Sequence, residues 1–246
     1  VGIDEIGNLV IIQFKTGVAK KRHSRFVETP AFIEFARERF AEQREATGPD
    51  CDLGIDFHGA IPPATAMLLI KALEPYQPMF IEEPINCQNV DIMADIARKT
   101  HLPIATGERI FTKWGFREIL EKRAATILQP DLCHAGGITE CRIIAGLAEA
   151  YYAGIAPHNP MGAISLASGL QLAASIPNFV CQEQITLGET VLKKPFEVRE
   201  GYIDLPKGPG LGIELDDDKV ADLIDPDLVF RLGQTYDNDD GSVVDW

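Results

Sequence analysis

Short apolar runs alternate with longer amphipathic stretches along most of the chain, a pattern that predicts strands alternating with helices. Most of the apolar runs end at an acidic or histidine side chain. The predicted strands cover 9–15, 53–59, 78–82, 103–108, 126–131, 154–158 and 178–183. The helices predicted between them cover 29–47, 64–73, 89–100, 113–122, 139–153 and 163–175.

This regular alternation favours one fold class. Strands that read as continuous apolar runs are typical of a parallel sheet covered by helices. Seven repeats of similar length favour a closed (β/α)8 TIM-type barrel over an open doubly wound sheet, and 246 residues suit such a barrel. We predict strands two to eight of the barrel in 1–190, with no counterpart of the first strand.

The end of the chain has a different character. Within residues 191–246 we predict a β-hairpin that turns at Glu200-Gly201 and a short helix over 218–224. Residues 207–212 are rich in Pro and Gly, and residues 213–246 are acidic. We expect this C-terminal segment to pack outside the barrel.

Composition narrows the possible partners and surroundings. The formal charge of −14 and the one basic cluster, Lys20-Lys21-Arg22, argue against a nucleic-acid partner. Five scattered cysteines without Cys-x-x-Cys spacing indicate neither a disulfide framework nor a zinc site. The cysteine pattern fits a reducing cytoplasm best. With no long apolar run and no signal-peptide pattern, we expect neither a membrane span nor membrane contact. We also expect a homo-oligomer, although no sequence feature encodes the oligomeric state.

Three carboxylates follow successive predicted strands. Glu82 lies 26 residues after Asp56, and Glu108 lies 26 residues after Glu82. In barrels the catalytic groups lie at the carboxyl ends of the strands, and converging carboxylates repel one another unless a cation binds them. A hard divalent cation such as Mg²⁺ prefers oxygen ligands, so a metal site is favoured over three isolated capping or solvated acids.

Histidines at other strand ends supply candidate acid–base groups. Strand alternation predicts that His58 shares a face with Asp56. Asp131 ends the strand before His158, where its carboxylate can orient the imidazole as a base, although a satisfied structural histidine is the competing interpretation. Glu183 ends the last strand and either hydrogen-bonds a substrate carboxylate or pairs with a basic neighbour.

Five motifs, in this order and spacing, resemble those of the enolase superfamily, in the mandelate racemase subgroup and most closely in its D-galactonate dehydratase group. The resemblance runs from about residue 15 to the end of the chain. The motifs are GIDFHG at 54–59, FIEEP at 80–84, ATGER at 105–109, LQPDLCHAGGITE at 128–140 and APHNPMG at 156–162. The family also has an α+β capping domain before the barrel, to which nothing in this sequence corresponds.

The resemblance implies a role for each candidate residue. His158, paired with Asp131, would remove the proton next to the substrate carboxylate, and His58 would protonate the departing hydroxyl. Glu183 would support the enediolate intermediate. The metal ion would be Mg²⁺, with ligands from Asp56, Glu82 and Glu108.

The implied activity is dehydration of an aldonic acid such as D-galactonate to a 2-keto-3-deoxy acid. Two alternatives remain open. One is an epimerase or racemase of the same superfamily, and the other is a non-catalytic barrel fragment that acts as an oligomer partner.

Overall fold

The computed structural model of the protein describes residues 10–13 and 28–228. In this part of the chain, strands and helices alternate as predicted. The elements are β1 (Val10–Gln13), α1 (Pro30–Thr47), β2 (Leu53–Asp56), α2 (Pro63–Leu73) with a 3-10 turn (Glu74–Tyr76), β3 (Phe80–Glu82), α3 (Val90–Ala97), β4 (Ile104–Thr106), α4 (Thr112–Lys122), β5 (Ile127–Leu128), α5 (Gly137–Glu149), β6 (Gly154–Ile155), α6 (Ala163–Ala173), β7 (Val198–Arg199), β8 (Tyr202–Ile203) and α7 (Asp217–Asp222).

Helix α1 shows how local sequence sets the element bounds. The Thr29 side chain caps the helix by accepting a hydrogen bond from Phe32 N at 3.3 Å, and Pro30 occupies the first turn. Gly48, with a φ of 73°, ends the helix, and its N–H donates to the Arg44 carbonyl. The prediction of a helix over 29–47 is therefore confirmed.

The chain divides into two compact units, and the first contains the described residues up to 105 together with 121–125. Within it β1, β2, β3 and β4 pair in order, all parallel. The side chains of β2 and β3 are buried throughout. This burial on both faces explains why these strands are almost uniformly apolar in sequence.

The second unit contains residues 106–120 and 126–228 of the described chain. Strand β5 pairs in parallel with β6, and Gln129 N donates to the carbonyl of Thr106, the last residue of β4, at 2.9 Å. The predicted hairpin is confirmed by the antiparallel pairing of β7 with β8 around Glu200 and Gly201, whose φ angles are 51° and 80°.

Most predicted strands run past the observed ones at their carboxyl ends. Strand β4 ends at Thr106, β5 at Leu128 and β6 at Ile155, so Glu108, Asp131 and His158 lie in the loops that follow these strands. Strand β2 stops at Asp56, whose Oδ1 accepts the His58 N–H in an Asx turn, so strand alternation does not reach His58.

The predicted strand over 178–183 forms only an isolated bridge, between Phe179 and Ile155. Backbone bonds flank this bridge, from Ile155 N to the Asn178 carbonyl and from Val180 N to the Ile155 carbonyl, and beyond it the Gln182 side-chain amide donates to the Pro157 carbonyl.

Two parts of the sequence near its start are described only partly or not at all. The predicted strand over 9–15 is described only at Val10–Gln13, and the basic cluster at 20–22 lies outside the described residues. No helix within the described ranges is long and apolar enough to span a membrane.

Candidate active site

Two of the three predicted metal ligands occupy matching positions on neighbouring strands of the first unit. Asp56 and Glu82 are register partners at the ends of the neighbouring strands β2 and β3. Each residue is only 4% exposed. Parallel register therefore brings two hard oxygen donors side by side at one edge of the sheet, as the sequence spacing predicted.

His58 reaches the Asp56 carboxylate from the turn after β2. Its backbone N–H lies 2.6 Å from Asp56 Oδ1, and its Nε2 lies 2.6 Å from Asp56 Oδ2. Half of the imidazole side chain is exposed, whereas the Asp56 side chain is almost fully buried. The carboxylate thus orients an accessible histidine and holds a proton on its Nε2.

The backbone around these acids is strained. His58 has a φ of 54° and the fully buried Glu83 a φ of 37°, both in a region that residues with a side chain rarely adopt. Glu83 donates its N–H to the Ala105 carbonyl, and its own carbonyl accepts from Gly59 N at 2.9 Å. Such conformations cluster at functional sites, where the surrounding hydrogen bonds enforce them.

In the second unit three predicted acids surround the imidazole of His158. His158 Nδ1 lies 2.8 Å from Asp131 Oδ2, and its Nε2 lies 3.0 Å from Glu108 Oε2. Glu183 Oε2 is farther away, at 3.9 Å from Nε2. The imidazole is 11% exposed, so this arrangement is largely shielded from water.

Hydrogen bonds from neighbouring backbone N–H groups hold Asp131 in place. Its Oδ1 accepts the Cys133 N–H at 2.7 Å, and its backbone carbonyl accepts from Ala135 N at 2.7 Å. Burial opposes ionisation of this carboxyl, but the hydrogen bonds from His158 and Cys133 outweigh burial and hold its pKa below the ordinary value. Asp131 therefore stays charged and directs Nδ1 toward itself.

His158 is strongly basic in this environment. Burial disfavours the imidazolium, but the hydrogen bonds to Asp131 and Glu108, with the charge of Glu183, more than offset burial and raise the pKa of His158 to about 10. The imidazole is consequently protonated at neutral pH as long as Glu108 stays bonded to Nε2.

Two neighbours of these residues were missed by sequence reasoning. Gly107 lets the backbone before Glu108 pass Gln129 closely, because a Cβ on this glycine would lie 2.5 Å from the Gln129 backbone. A glycine inside a predicted strand is a signal for such an approach. Asn159 N holds Glu183 Oε2 at 2.8 Å, and a backbone N–H of this kind leaves no trace in residue type.

The candidate site residues fall into two groups, one in each unit. The first unit brings together Asp56, Glu82 and His58, and the second brings together Glu108, Asp131, His158 and Glu183. Within residues 10–13 and 28–228, no three His, Cys, Asp or Glu side chains are grouped as a ready-made metal site. The donor chemistry nevertheless fits a hard cation, because the paired Asp56 and Glu82 offer buried carboxylate oxygens.

Comparison with known proteins adds independent information. Residues 11–219 match the family model described as "Enolase C-terminal domain-like". A curated relative, D-galactonate dehydratase of Ralstonia nicotianae (strain ATCC BAA-1114 / GMI1000), is 41% identical over 230 residues, which are 89% of this chain and 60% of the relative. The chain therefore spans about 60% of the length of this curated relative.

Solved structures of related proteins also match most of this chain. A member of the enolase superfamily from Salmonella Typhimurium superimposes with a TM-score of 0.81 at 29% identity, covering 87% of this chain and 57% of that one. A mandelate racemase/muconate lactonizing enzyme from Sulfitobacter sp. has a TM-score of 0.77 at 37% identity, covering 86% of this chain and 53% of that one.

Proposed function

Because this chain belongs to the enolase C-terminal domain-like family, we propose that it is the barrel part of a Mg²⁺-dependent sugar-acid dehydratase. The family fold is a (β/α)8 barrel, which confirms the fold class predicted from the alternation of elements. The proposed substrate is an aldonic acid such as D-galactonate, supported by the name of the curated relative. The observation that carries the proposal is the imidazole of His158 held among three carboxylates.

Asp56, Glu82 and Glu108 are the residues proposed to hold the metal ion. Their spacing at successive strand ends, the register pairing of Asp56 with Glu82, and their carboxylate chemistry support this assignment. When bound, a divalent cation would stabilise the negative charge that develops on the substrate carboxylate as the neighbouring carbon loses its proton.

His158 is proposed to take the proton from the carbon next to the substrate carboxylate. Asp131 fixes the ring and holds the Nδ1 proton, so Nε2 is the atom that faces the reaction. In the structure Nε2 is bonded to Glu108, which keeps it protonated. That bond must open, and the proton must leave, before Nε2 can accept a proton from the substrate.

His58 is proposed as the acid. Its ring is half exposed, and Nε2 is bonded to Asp56 in the structure. That bond must open before the Nε2 proton can pass to the departing hydroxyl. The C2 proton then resides on His158, the C3 hydroxyl leaves as water, and the resulting enol rearranges to the 2-keto-3-deoxy acid. Glu183, fixed by Asn159 N, is placed to hydrogen-bond the substrate carboxylate when it carries a proton.

The test is an assay of 2-keto acid formation from a panel of aldonates, with Mg²⁺, on the protein that carries these 246 residues at its natural length. We expect product from at least one aldonate, and none after His158→Gln. A full panel without product would refute the proposed activity.

Replacement of His58 separates elimination from racemisation. In His58→Asn, a dehydratase loses elimination, while solvent deuterium still enters C2 of the substrate through His158. Inversion at C2 without loss of water would instead identify an epimerase or racemase. The non-catalytic alternative predicts no heat of Mg²⁺ binding in a calorimetric titration.

We also propose the cellular location and the classes of partner from the composition of the chain. A net charge of −14 and scattered cysteines support a cytoplasmic enzyme that binds neither nucleic acid nor a membrane surface. A homo-oligomer is expected, and light scattering coupled to gel filtration would measure its mass.

A further inference from the structure

An ion pair that the proposed chemistry does not use joins the starts of helices α4 and α5. Glu140 Oε1 accepts the backbone N–H of Lys113 at 2.9 Å and lies 3.1 Å from Lys113 Nζ. Glu140 Oε2 lies 3.2 Å from the same Nζ. The backbone N–H of Lys113, followed by its ammonium group, holds the pKa of the Glu140 carboxyl below its ordinary value.

Lys113 and Glu140 each lie at or just after the end of a loop that contains an acid bonded to His158. The α4 segment runs from Gly107 and Glu108 to Lys113, and we call it the Glu108 loop, 107–113. The α5 segment runs from Asp131 to Gly137, and we call it the Asp131 loop, 131–137. Glu140 therefore connects the two loops whose first acids bond to opposite nitrogens of one imidazole.

The Glu108 loop enters α4 through strained backbone. Thr112 has a φ of 55°, which is a genuine outlier for a β-branched residue. The next N–H belongs to Lys113 and is the group that Glu140 accepts. Ile110, which is 8% exposed, anchors the middle of the loop against Gly115, where a Cβ would lie 2.7 Å from its side chain. A conformation of this kind persists only where contacts such as the Glu140 bond enforce it.

The Asp131 loop is shaped to admit the same carboxylate side chain. Gly136 has a φ of 120°, and a Cβ at this position would lie 2.9 Å from the Cβ of Glu140. The loop closes with a bond from Gly137 N to the Leu132 carbonyl at 3.0 Å. The stem of Glu140 thus packs on one loop while its carboxylate binds the end of the other.

We propose that Glu140 is a positioning residue, which sets the separation of Glu108 and Asp131 so that both reach His158. The inference rests on the proposed function for its kinetic part only. A misplacement of about 1 Å in such a site costs up to about a hundred-fold in rate. We call the contacts of Glu140 with Lys113 the brace. Loss of the brace should lower kcat much more than it raises KM, since Glu140 touches no reacting group.

Three variants test the contacts of the brace, and a fourth variant serves as the control. Glu140→Ala removes both bonds, Glu140→Gln retains an oxygen for the Lys113 N–H, and Lys113→Met removes only the ammonium group. The control is Glu149→Ala, at the exposed far end of α5. Hydrogen exchange by mass spectrometry on the metal-free chain measures the two loops directly, and a deuterium-exchange and turnover assay measures kcat and KM.

For Glu140→Ala we expect amide exchange at least about ten-fold faster in both 107–113 and 131–137, with a kcat about ten- to a hundred-fold lower. Glu140→Gln should restore most of the protection, Lys113→Met should show a smaller effect, and Glu149→Ala should match the wild type.

Unchanged exchange in both loops of Glu140→Ala would overturn the proposal. If Glu140→Ala raises exchange throughout the chain, Lys113→Met decides the question, because it removes only the ammonium contact with Glu140. Wild-type exchange in both loops of Lys113→Met, together with a wild-type kcat, would then overturn the proposal. Faster loop exchange in a protein without dehydratase activity would leave the brace standing and reject the proposed function alone.

Discussion

The protonation of His158 can be tested by removing one of its two bonded carboxylates. The pKa of His158 is raised from 6.5 to about 10, although burial alone would lower it. The rise corresponds to about 5 kcal/mol of preferential stabilisation of the imidazolium in the folded protein. Asp131→Asn keeps the shape of the side chain but removes the charge and one charged acceptor of this imidazole.

We expect Asp131→Asn to lower the pKa of His158 by about one to three pKa units, because a single adjacent opposite charge typically has that effect. The assay is an NMR titration of the histidine ring protons in metal-free protein with a chelator present. His158→Gln assigns the resonance, and His134→Gln, which removes an exposed imidazole beside Phe111, is the control. If no histidine titrates above about pH 8 in the wild type, the reasoning from the Asp131 and Glu108 contacts is refuted.

The same pKa fixes the sign of a stability effect. Folding stabilises the protonated form, so the contribution of His158 is fully present below pH 6.5 and is lost as the pH rises through about 10. Between these values the free energy of unfolding of the metal-free wild type should fall by about 1.4 kcal/mol per pH unit relative to His158→Gln. Parallel curves in urea denaturation at several pH values would contradict the expectation.

Two stability predictions follow from the backbone contacts. Gly107→Ala should destabilise the protein by more than about 1 kcal/mol, because its Cβ would collide with the Gln129 backbone. Gly146→Ala, in the open middle of α5, should stabilise the protein by up to about 1 kcal/mol. Thermal unfolding measures both variants, and equal melting temperatures would contradict the close approach of Gly107 to Gln129. Arg44→Lys should lower the melting temperature, because one guanidinium donates to four backbone carbonyls, at 2.6 to 3.2 Å, that an ammonium group cannot reach together. Arg39→Lys, in an exposed ion pair, should leave the melting temperature unchanged.

Much of the site could be predicted because strand ends are visible in the hydrophobic pattern. The acids Asp56 and Glu82 were placed together from equal spacing alone, and the structure pairs them in register. The pairing of Asp131 with His158 was predicted from their positions on successive strands and is confirmed at 2.8 Å. Asp56 and Glu82 end their strands, and Asp131 and His158 each lie three residues beyond the ends of β5 and β6. Parallel neighbouring strands bring such residues to the same edge of the sheet, so their order along the chain was enough to predict both pairs.

Other contacts could not be predicted, because they depend on the path of the backbone after the strands end. His58 lies in an Asx turn with a positive φ, so alternation along a strand did not describe it. The bond between His158 and Glu108 and the capture of Glu183 by Asn159 N join loops that are distant in sequence. Residue type does not encode such distances.

The sequence by itself determined the alternation of elements, the barrel family and the identity of the carboxylates and histidines at the strand ends, because burial and strand length are local properties of the chain. The tertiary structure alone decided which nitrogen of His158 faces which acid, how strongly the imidazole holds its proton, and how Glu140 joins the loops behind it. These depend on distances of about 3 Å between side chains from separate loops, which only the packed backbone establishes.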